Sequence, residues 1–145
     1  DRVMLIANSG PGSVISINMN VGQRLPCFVG ALGRCYAAFS GLSKQQLKSA
    51  YSKIRIENPV PFEEWYDSLA DVRESKCAID EGNFSQGFTT VSAPVFDAEN
   101  RPAMTISAVA VTAQLDKKKL EKIAEAVKQT AATVTAAIQG MPQKS

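Results

Sequence analysis

The chain has 145 residues, of which 45% are hydrophobic and 21% charged. A single core at this length buries roughly two-thirds of the surface that the unfolded chain exposes, so we expect one domain. The 16 basic and 14 acidic residues give a net charge of +2 without a basic stripe, which argues against direct nucleic-acid binding. No apolar run approaches the ~20 residues of a membrane-spanning helix, and no signal-peptide pattern opens the chain, so we expect a cytoplasmic protein with no membrane partner.

Histidine is absent from the sequence, and cysteine occurs three times, at Cys27, Cys35 and Cys77. The lack of histidine excludes serine-histidine-aspartate triads, cysteine-histidine nucleophiles and histidine-based metal sites. The cysteines form no CxxC pair, which argues against structural zinc, and free thiols suit a reducing cytoplasm. We therefore expect no catalytic residue, no bound metal and no cofactor.

In chain order, the first predicted element is a β-hairpin. Residues 2–7 are short and apolar, residues 8–12 are turn-forming, and residues 13–19 alternate apolar and polar side chains with period two. The stretch from Gly22 to Pro26 is predicted to be a loop.

Three helices are predicted next. Residues 28–39 are dense in small and apolar side chains at helical spacing, although Gly30 and Gly33 each cost about 1 kcal/mol against alanine inside a helix. The two glycines indicate a close neighbour at the helix start, either packed protein or a ligand. Ser43 and Gln46 have the spacing of a capping box for a second helix, and a third begins at Phe62.

The second half of the chain predicts a sheet and a long helix. Strands are expected at residues 77–80, 88–96 and 102–112, with the last two central, and Pro94 favours an edge or a bulge. Asp116 is placed to cap a final helix that Gly140 closes as its C′ residue. Strands adjacent in sequence favour antiparallel pairing, so the fold class is α+β, an antiparallel sheet flanked by helices.

Polar residues within these strands suggest a pocket. Thr90 and Ser92 share one strand face, and Thr105 and Ser107 share one face of the next strand. If these hydroxyl groups face the glycine-bearing helix, they form a concave ligand site with it. The alternative is that they are ordinary β-residues with local hydrogen bonds. Asp80 is open to two roles as well, because it can accept from a ligand hydroxyl or cap the loop that follows through the N–H groups at 82 and 83.

Several short motifs resemble the effector-binding domain of IclR-type transcription regulators, and the resemblance runs over almost the whole chain. In order, they are Leu25-Pro26, Ala31-Leu32-Gly33-Arg34-Cys35, Ser40-Gly41, Ala78-Ile79-Asp80, Gly87, Ala93-Pro94-Val95-Phe96-Asp97 and Ile106-Ser107.

The resemblance implies one effector-binding domain over residues 1–145, with a GAF-like curved antiparallel sheet flanked by helices and a small organic or aromatic acid as ligand. It implies a homodimer or homotetramer that contacts DNA only through an N-terminal winged helix-turn-helix, which we expect to be absent from this chain. Backbone N–H groups of Ala31 and Leu32 would bind the ligand carboxylate. The remaining ligand-binding residues implied are the polar Asp80, Thr90 and Ser107 and the apolar Val14, Ile17, Leu25 and Phe88.

The sequence departs from the family pattern at two points. Gly82-Asn83 stands where relatives commonly have a glutamate, and Ala110-Val111-Thr112 replaces a serine-glycine-proline. The ligand can therefore differ from simple keto acids. Two other functions compete with effector binding: a GAF-like enzyme that uses Cys35 or Cys77 as a thiol, and a dimerisation module that binds no ligand.

Overall fold

A computed structural model describes residues 2–10 and 19–140 of the chain. Its regular elements, in chain order, are β1 (Arg2–Met4), β2 (Arg24–Pro26), α1 (Gly30–Phe39), α2 (Lys44–Tyr51), α3 (Phe62–Ser75), β3 (Ala78–Glu81), β4 (Phe88–Phe96), β5 (Pro102–Val111), a 3-10 turn (Thr112–Gln114) and α4 (Lys117–Gly140). The predicted α+β class is confirmed.

The N-terminal strands form a small sheet that differs from the predicted hairpin. β1 pairs antiparallel with β2, with Val3 opposite Leu25, so the predicted loop at 22–26 is wrong over its last three residues. Gly22, at a φ of +91°, turns the chain back and donates to the Leu5 carbonyl. β2 has three residues, of which one is apolar. Its sequence therefore carries too little periodicity to predict a strand. Residues 13–18 of the predicted hairpin lie outside the described residues.

The helices α1, α2 and α3 enclose one hydrophobic core. The capping box of α2 is confirmed, since the Ser43 hydroxyl accepts from the Gln46 N–H and the Gln46 side chain accepts from the Ser43 N–H. The fully buried Leu47, Leu69 and Cys35 come from the three helices and belong to one cluster. This core places α1 against the sheet.

The second sheet has the order β3-β4-β5 and is antiparallel throughout. β4 is central as predicted, but among the described strands β5 is at the edge, which corrects its predicted central place. Pro94 lies within β4, yet β3 pairs only as far as Ser92, so β4 has a single described strand partner at the proline. That position tolerates a residue without an N–H group.

The helix α4 covers the opposite face of the second sheet from α1. Val91, Ala93 and Val95 of β4 are buried in one cluster with Val127 and Ala131 of α4. The Asp116 side chain accepts from the Lys119 N–H at 2.7 Å, which confirms the predicted cap. α4 is described as far as Gly140, and the residues after it, on which its predicted C′ role depends, lie outside the described residues. The α1 face of the same strands carries the polar residues.

Candidate functional site

The start of α1, β3 and β4 meet at Gly30. A Cβ atom added at Gly30 would lie 3.5 Å from Phe84 Cβ, 3.5 Å from Thr90 Oγ1 and 3.9 Å from Asp80 Cγ. Its φ of +56° also favours glycine. Gly33 has a different reason, because its added Cβ would meet the Phe28 backbone at 2.1 Å. Protein packing thus accounts for Gly33, whereas Gly30 is favoured by its positive φ and lies in ordinary contact distance of the polar groups of the junction.

The first turn of α1 has no side-chain cap. Its N-cap residue is Val29, which carries no hydrogen-bonding group, and the first turn contains no acidic residue. The Ala31 N–H donates to Thr90 Oγ1 at a long 3.4 Å. Backbone N–H groups at an uncapped helix start, together with the helix dipole, favour an anion. This geometry suits the carboxylate role predicted for Ala31 and Leu32.

Arg34 and Asp80 form a buried ion pair beside this junction. Their side chains are 13% and 4% exposed, and Arg34 Nη1 lies 3.8 Å from Asp80 Oδ1. Arg34 Nη1 also donates to the Ile79 carbonyl at 2.7 Å. Within the described part of the chain, the buried Arg34 Nε has no hydrogen-bond partner. The pair therefore carries unused hydrogen-bonding capacity, which is uncommon for buried charged groups.

Asp80 also caps the loop that follows β3. Its Oδ2 accepts from the Phe84 N–H at 3.1 Å, so the predicted capping role is confirmed, with a different donor from the expected N–H groups at 82 and 83. The same loop is held by Asn58, which donates to the carbonyls of Asn83 and Gly82 at 2.9 Å each. The segment between α2 and α3 thus holds the Phe84 loop in place beside the junction.

A small cavity of about 10 Å³ lies at the junction. This is about the space that one water molecule needs. Its lining combines aromatic walls with a few polar groups: Phe28, Gly30, Arg34, Tyr51, Ile56, Val60, Trp65, Asp80, Asn83 and Phe84. Burial raises the pKa of the Tyr51 hydroxyl, which donates to the Val60 carbonyl at 2.8 Å. The cavity has the mixed lining of a ligand site but is closed to anything larger than one oxygen atom and its protons.

The structure brings some of the predicted site residues together. Ala31, Asp80 and Thr90 meet at Gly30. Thr90 and Ser92 were predicted to share one face of their strand, and the strand register puts Ser107 of β5 on that same face. The Ser92 and Ser107 hydroxyl oxygens lie 2.7 Å apart. Ser92 is fully buried, so this bond also has a structural role.

Other predicted site residues lie further out. Phe88 is half-buried at the start of β4, and Leu32 is half-buried in the first turn of α1. Leu25 lies in β2 opposite Val3, in the other sheet. Val14 and Ile17 lie outside the described residues.

The close neighbour predicted from Gly30 is present, but sequence reasoning missed Arg34 and Phe84 as members of the junction. The signal for Arg34 was present, because it is the single charged residue between positions 28 and 39. A charge inside an otherwise apolar helix needs a buried partner or a ligand. Its partner Asp80 could not be identified from local sequence, since the two residues meet only in the fold.

The cysteines lack the features of reactive thiols. Burial raises the pKa of the Cys35 thiol to about 12, and Cys35 Sγ donates to the Ser92 carbonyl at 3.1 Å. Burial also raises the pKa of the thiols of Cys27 and Cys77. Nucleophilic cysteines need the opposite shift, toward the thiolate.

Residues 2–10 and 19–140 contain neither a side-chain cluster that could hold a metal ion nor a helix that could cross a membrane. No group of three or more cysteine, aspartate or glutamate side chains in these ranges is arranged to hold a metal ion. Among the helices there, none combines the length and apolar character needed to cross a membrane.

Comparison with known proteins gives a consistent result. The chain is 26% identical to the DNA-binding transcriptional repressor YiaJ of Escherichia coli K12, with 93% of this chain and 50% of YiaJ covered. A crystal structure of an IclR transcriptional regulator from Alicyclobacillus acidocaldarius superposes with a TM-score of 0.82 at 28% identity, with 97% of this chain and 57% of that chain covered. The chain thus spans about half the length of these relatives.

A more distant structure agrees in fold. The repressor BlcR of Agrobacterium tumefaciens superposes with a TM-score of 0.71 at 18% identity, with 83% of this chain and 51% of that chain covered. Residues 1–136 match the family described as bacterial transcriptional regulator IclR C-terminal. The chain therefore belongs to the IclR C-terminal family, the effector-binding domains of IclR transcription regulators.

Proposed function

We propose that this domain senses a small organic acid, whose carboxylate binds at the start of α1. The observation that carries the proposal is the uncapped first turn of α1, facing Thr90 beside a buried arginine. Helix-start N–H groups supply the donors, and Arg34 offsets the negative charge of Asp80 next to an anionic ligand. Thr90 has a hydroxyl proton to donate to the carboxylate.

The residues around the carboxylate site determine which chemical group the rest of the ligand carries. Phe28, Trp65 and Phe84 line the junction with aromatic rings, which suits an apolar or aromatic group on the acid. Leu25, Leu32, Phe88 and Ser107 stay predictions as further contacts. The loop carrying Phe84 has to open for a ligand to enter, because the present cavity is too small.

In a whole regulator, the subunits would have two alternative arrangements. The ligand would bind one of them more tightly and so shift the population toward it. We propose a homodimer or homotetramer in which a separate N-terminal domain binds DNA and the present domain binds the ligand. We propose no catalytic turnover and a cytoplasmic location. The raised pKa of the buried Cys35 thiol argues against the thiol enzyme, and the unpartnered Arg34 Nε argues against a dimerisation module that binds no ligand.

Calorimetry with matched ligands tests the carboxylate site. Phenylacetate should bind and phenylacetamide should bind at least tenfold more weakly, because only the acid carries the charge that the α1 start favours. Thr90→Val should weaken phenylacetate binding roughly tenfold, the size of one lost hydrogen bond to a charged group.

Thr130→Val is the matched control, since Thr130 is exposed on α4 and donates to the Ala126 carbonyl. This variant should bind phenylacetate like the unmodified domain. Binding of the amide as tightly as the acid, or binding of no carboxylate from a panel of small aliphatic and aromatic acids, would overturn the proposal.

A further inference from the structure

Arg34 and Asp80 each retain hydrogen-bonding capacity beside the same small cavity. Arg34 Nε is a buried donor without a described partner, and both residues line the cavity. Asp80 uses Oδ2 for the Phe84 N–H, while Oδ1 stands 3.8 Å from the guanidinium, beyond hydrogen-bond distance. A carboxylate oxygen can accept more than one hydrogen bond, so Oδ1 has capacity for a ligand.

We propose that the acid sensed here is a hydroxy acid, whose hydroxyl accepts from Arg34 Nε and donates to Asp80 Oδ1. The inference rests on the proposed function and names the ligand class for that site. A hydroxyl group is both donor and acceptor, whereas a keto oxygen only accepts and would leave the Asp80 carboxylate facing a second electron-rich group. A buried site built for a hydroxyl discriminates strongly against ligands that lack it.

The size of the cavity supports a hydroxyl at this position. With the Phe84 loop in place, the cavity of about 10 Å³ has room beside Arg34 and Asp80 for one oxygen atom with its protons and not for a carboxylate, and the larger groups of the ligand need the opened loop. The carboxylate of the ligand therefore lies outside the cavity, at the α1 start. Asp80 Cγ is 3.9 Å from the Cβ position of Gly30, whose neighbour Ala31 supplies the N–H group. Asp80 therefore lies beside the residue that precedes the carboxylate site, which fits a hydroxyl close to the carboxyl group, as in a 2-hydroxy acid.

Arg34 is suited to this role by its position on α1. It lies three residues after Ala31, so both face the same side of the helix. Its Nη1 is fixed by the Ile79 carbonyl at 2.7 Å, which anchors the guanidinium to the strand that carries Asp80. The planar guanidinium then holds Nε in a set direction, which a lysine could not do.

Three ligands that differ at one carbon test the proposal: mandelate, phenylglyoxylate and phenylacetate carry a hydroxyl, a keto oxygen and no oxygen next to the carboxyl group. In calorimetry with the domain, mandelate should bind at least tenfold more tightly than either of the others. Asp80→Asn should remove or invert the preference for mandelate over phenylglyoxylate, because an amide can donate to a keto oxygen. Arg34→Lys should reduce the same ratio while keeping the positive charge.

The outcomes separate this proposal from the previous one. Equal binding of the three acids by the unmodified domain would overturn the hydroxy-acid inference and leave the carboxylate site standing, with the cavity holding a structural water only. Binding of none of a broad set of acids would overturn both. If Asp80→Asn fails to fold, as judged by circular dichroism, the ratio of affinities in the unmodified domain decides alone. Thr130→Val should leave that ratio unchanged.

Discussion

The two faces of the strand β4 differ in composition and in how completely their groups are satisfied. Toward α4, Val91 and Val95 are buried in an apolar cluster closed by Val127. Toward α1, Thr90 and Ser92 alternate with these valines and share their face with Asp80 through the register of β3. One strand therefore serves two layers with opposite chemistry.

The difference separates stability from binding. The α4 face buries mainly hydrocarbon, and its buried polar residue on β4, Thr89, is paired with the Thr112 hydroxyl, so its contribution to stability follows the buried apolar area. The α1 face buries an ion pair 3.8 Å apart and leaves Arg34 Nε without a described partner. Residues that break the packing rules in this way concentrate at functional sites. We infer that α4 stabilises the sheet and that the α1 face was shaped for a ligand.

The largest expected effect comes from removing one charge of the buried pair. Arg34→Met leaves Asp80, which is 3% exposed, without its cation. We expect a loss of about 3 kcal/mol in the free energy of unfolding, since removing one partner of a buried pair typically costs this much. Urea denaturation at neutral pH measures the change.

A second substitution sharpens the interpretation. Adding Asp80→Leu to Arg34→Met removes the uncompensated charge, so part of the lost stability should return. A loss below about 1 kcal/mol in the single variant would mean that water reaches Asp80 and that the α1 face is less buried than described.

On the α4 face, Val95→Ala should cost about 2 kcal/mol, because Val95 is fully buried and the change removes two methyl groups and leaves a cavity. Phenylacetate affinity should stay within twofold of the unmodified domain. Val21→Ala is the matched control, with Val21 64% exposed and an expected change within about 0.5 kcal/mol. A large change in affinity in Val95→Ala would contradict the division of roles between the two faces.

The same contrast explains what could be predicted from the sequence. The alternation of β4 predicted its bounds, and period two alone predicted that Thr90 shares a strand face with Ser92, and Thr105 with Ser107. β2 was missed because three residues carry little periodic signal. The pairing of Arg34 with Asp80 depends on how α1 packs on β3, which no local pattern encodes. Capping, alternation and helical spacing are local, whereas the junction at Gly30 is a product of the tertiary fold.

The smallest expected effect concerns Cys35, a residue of α1 whose thiol contacts the α1 face of β4 at Ser92. Its pKa is raised from 9.0 to about 12 by burial, so the folded domain keeps the proton at pH values where the unfolded chain releases it. The unfolded state then binds fewer protons than the folded state, and stability falls as pH rises above about 9. Between pH 8 and pH 10 we expect Cys35 to account for a loss of about 1 kcal/mol.

Comparison with Cys35→Ala isolates this contribution, because the ionisation of every other group is common to both proteins. The alanine variant loses the bond from Cys35 Sγ to the Ser92 carbonyl and should be less stable at pH 8, but its stability should decline less steeply toward pH 10 in urea titrations. Parallel pH curves would show that the Cys35 thiol ionises as readily in the folded domain as in the unfolded chain. The α1 face would then contain an accessible thiolate, and thiol chemistry would again compete with ligand sensing as its function.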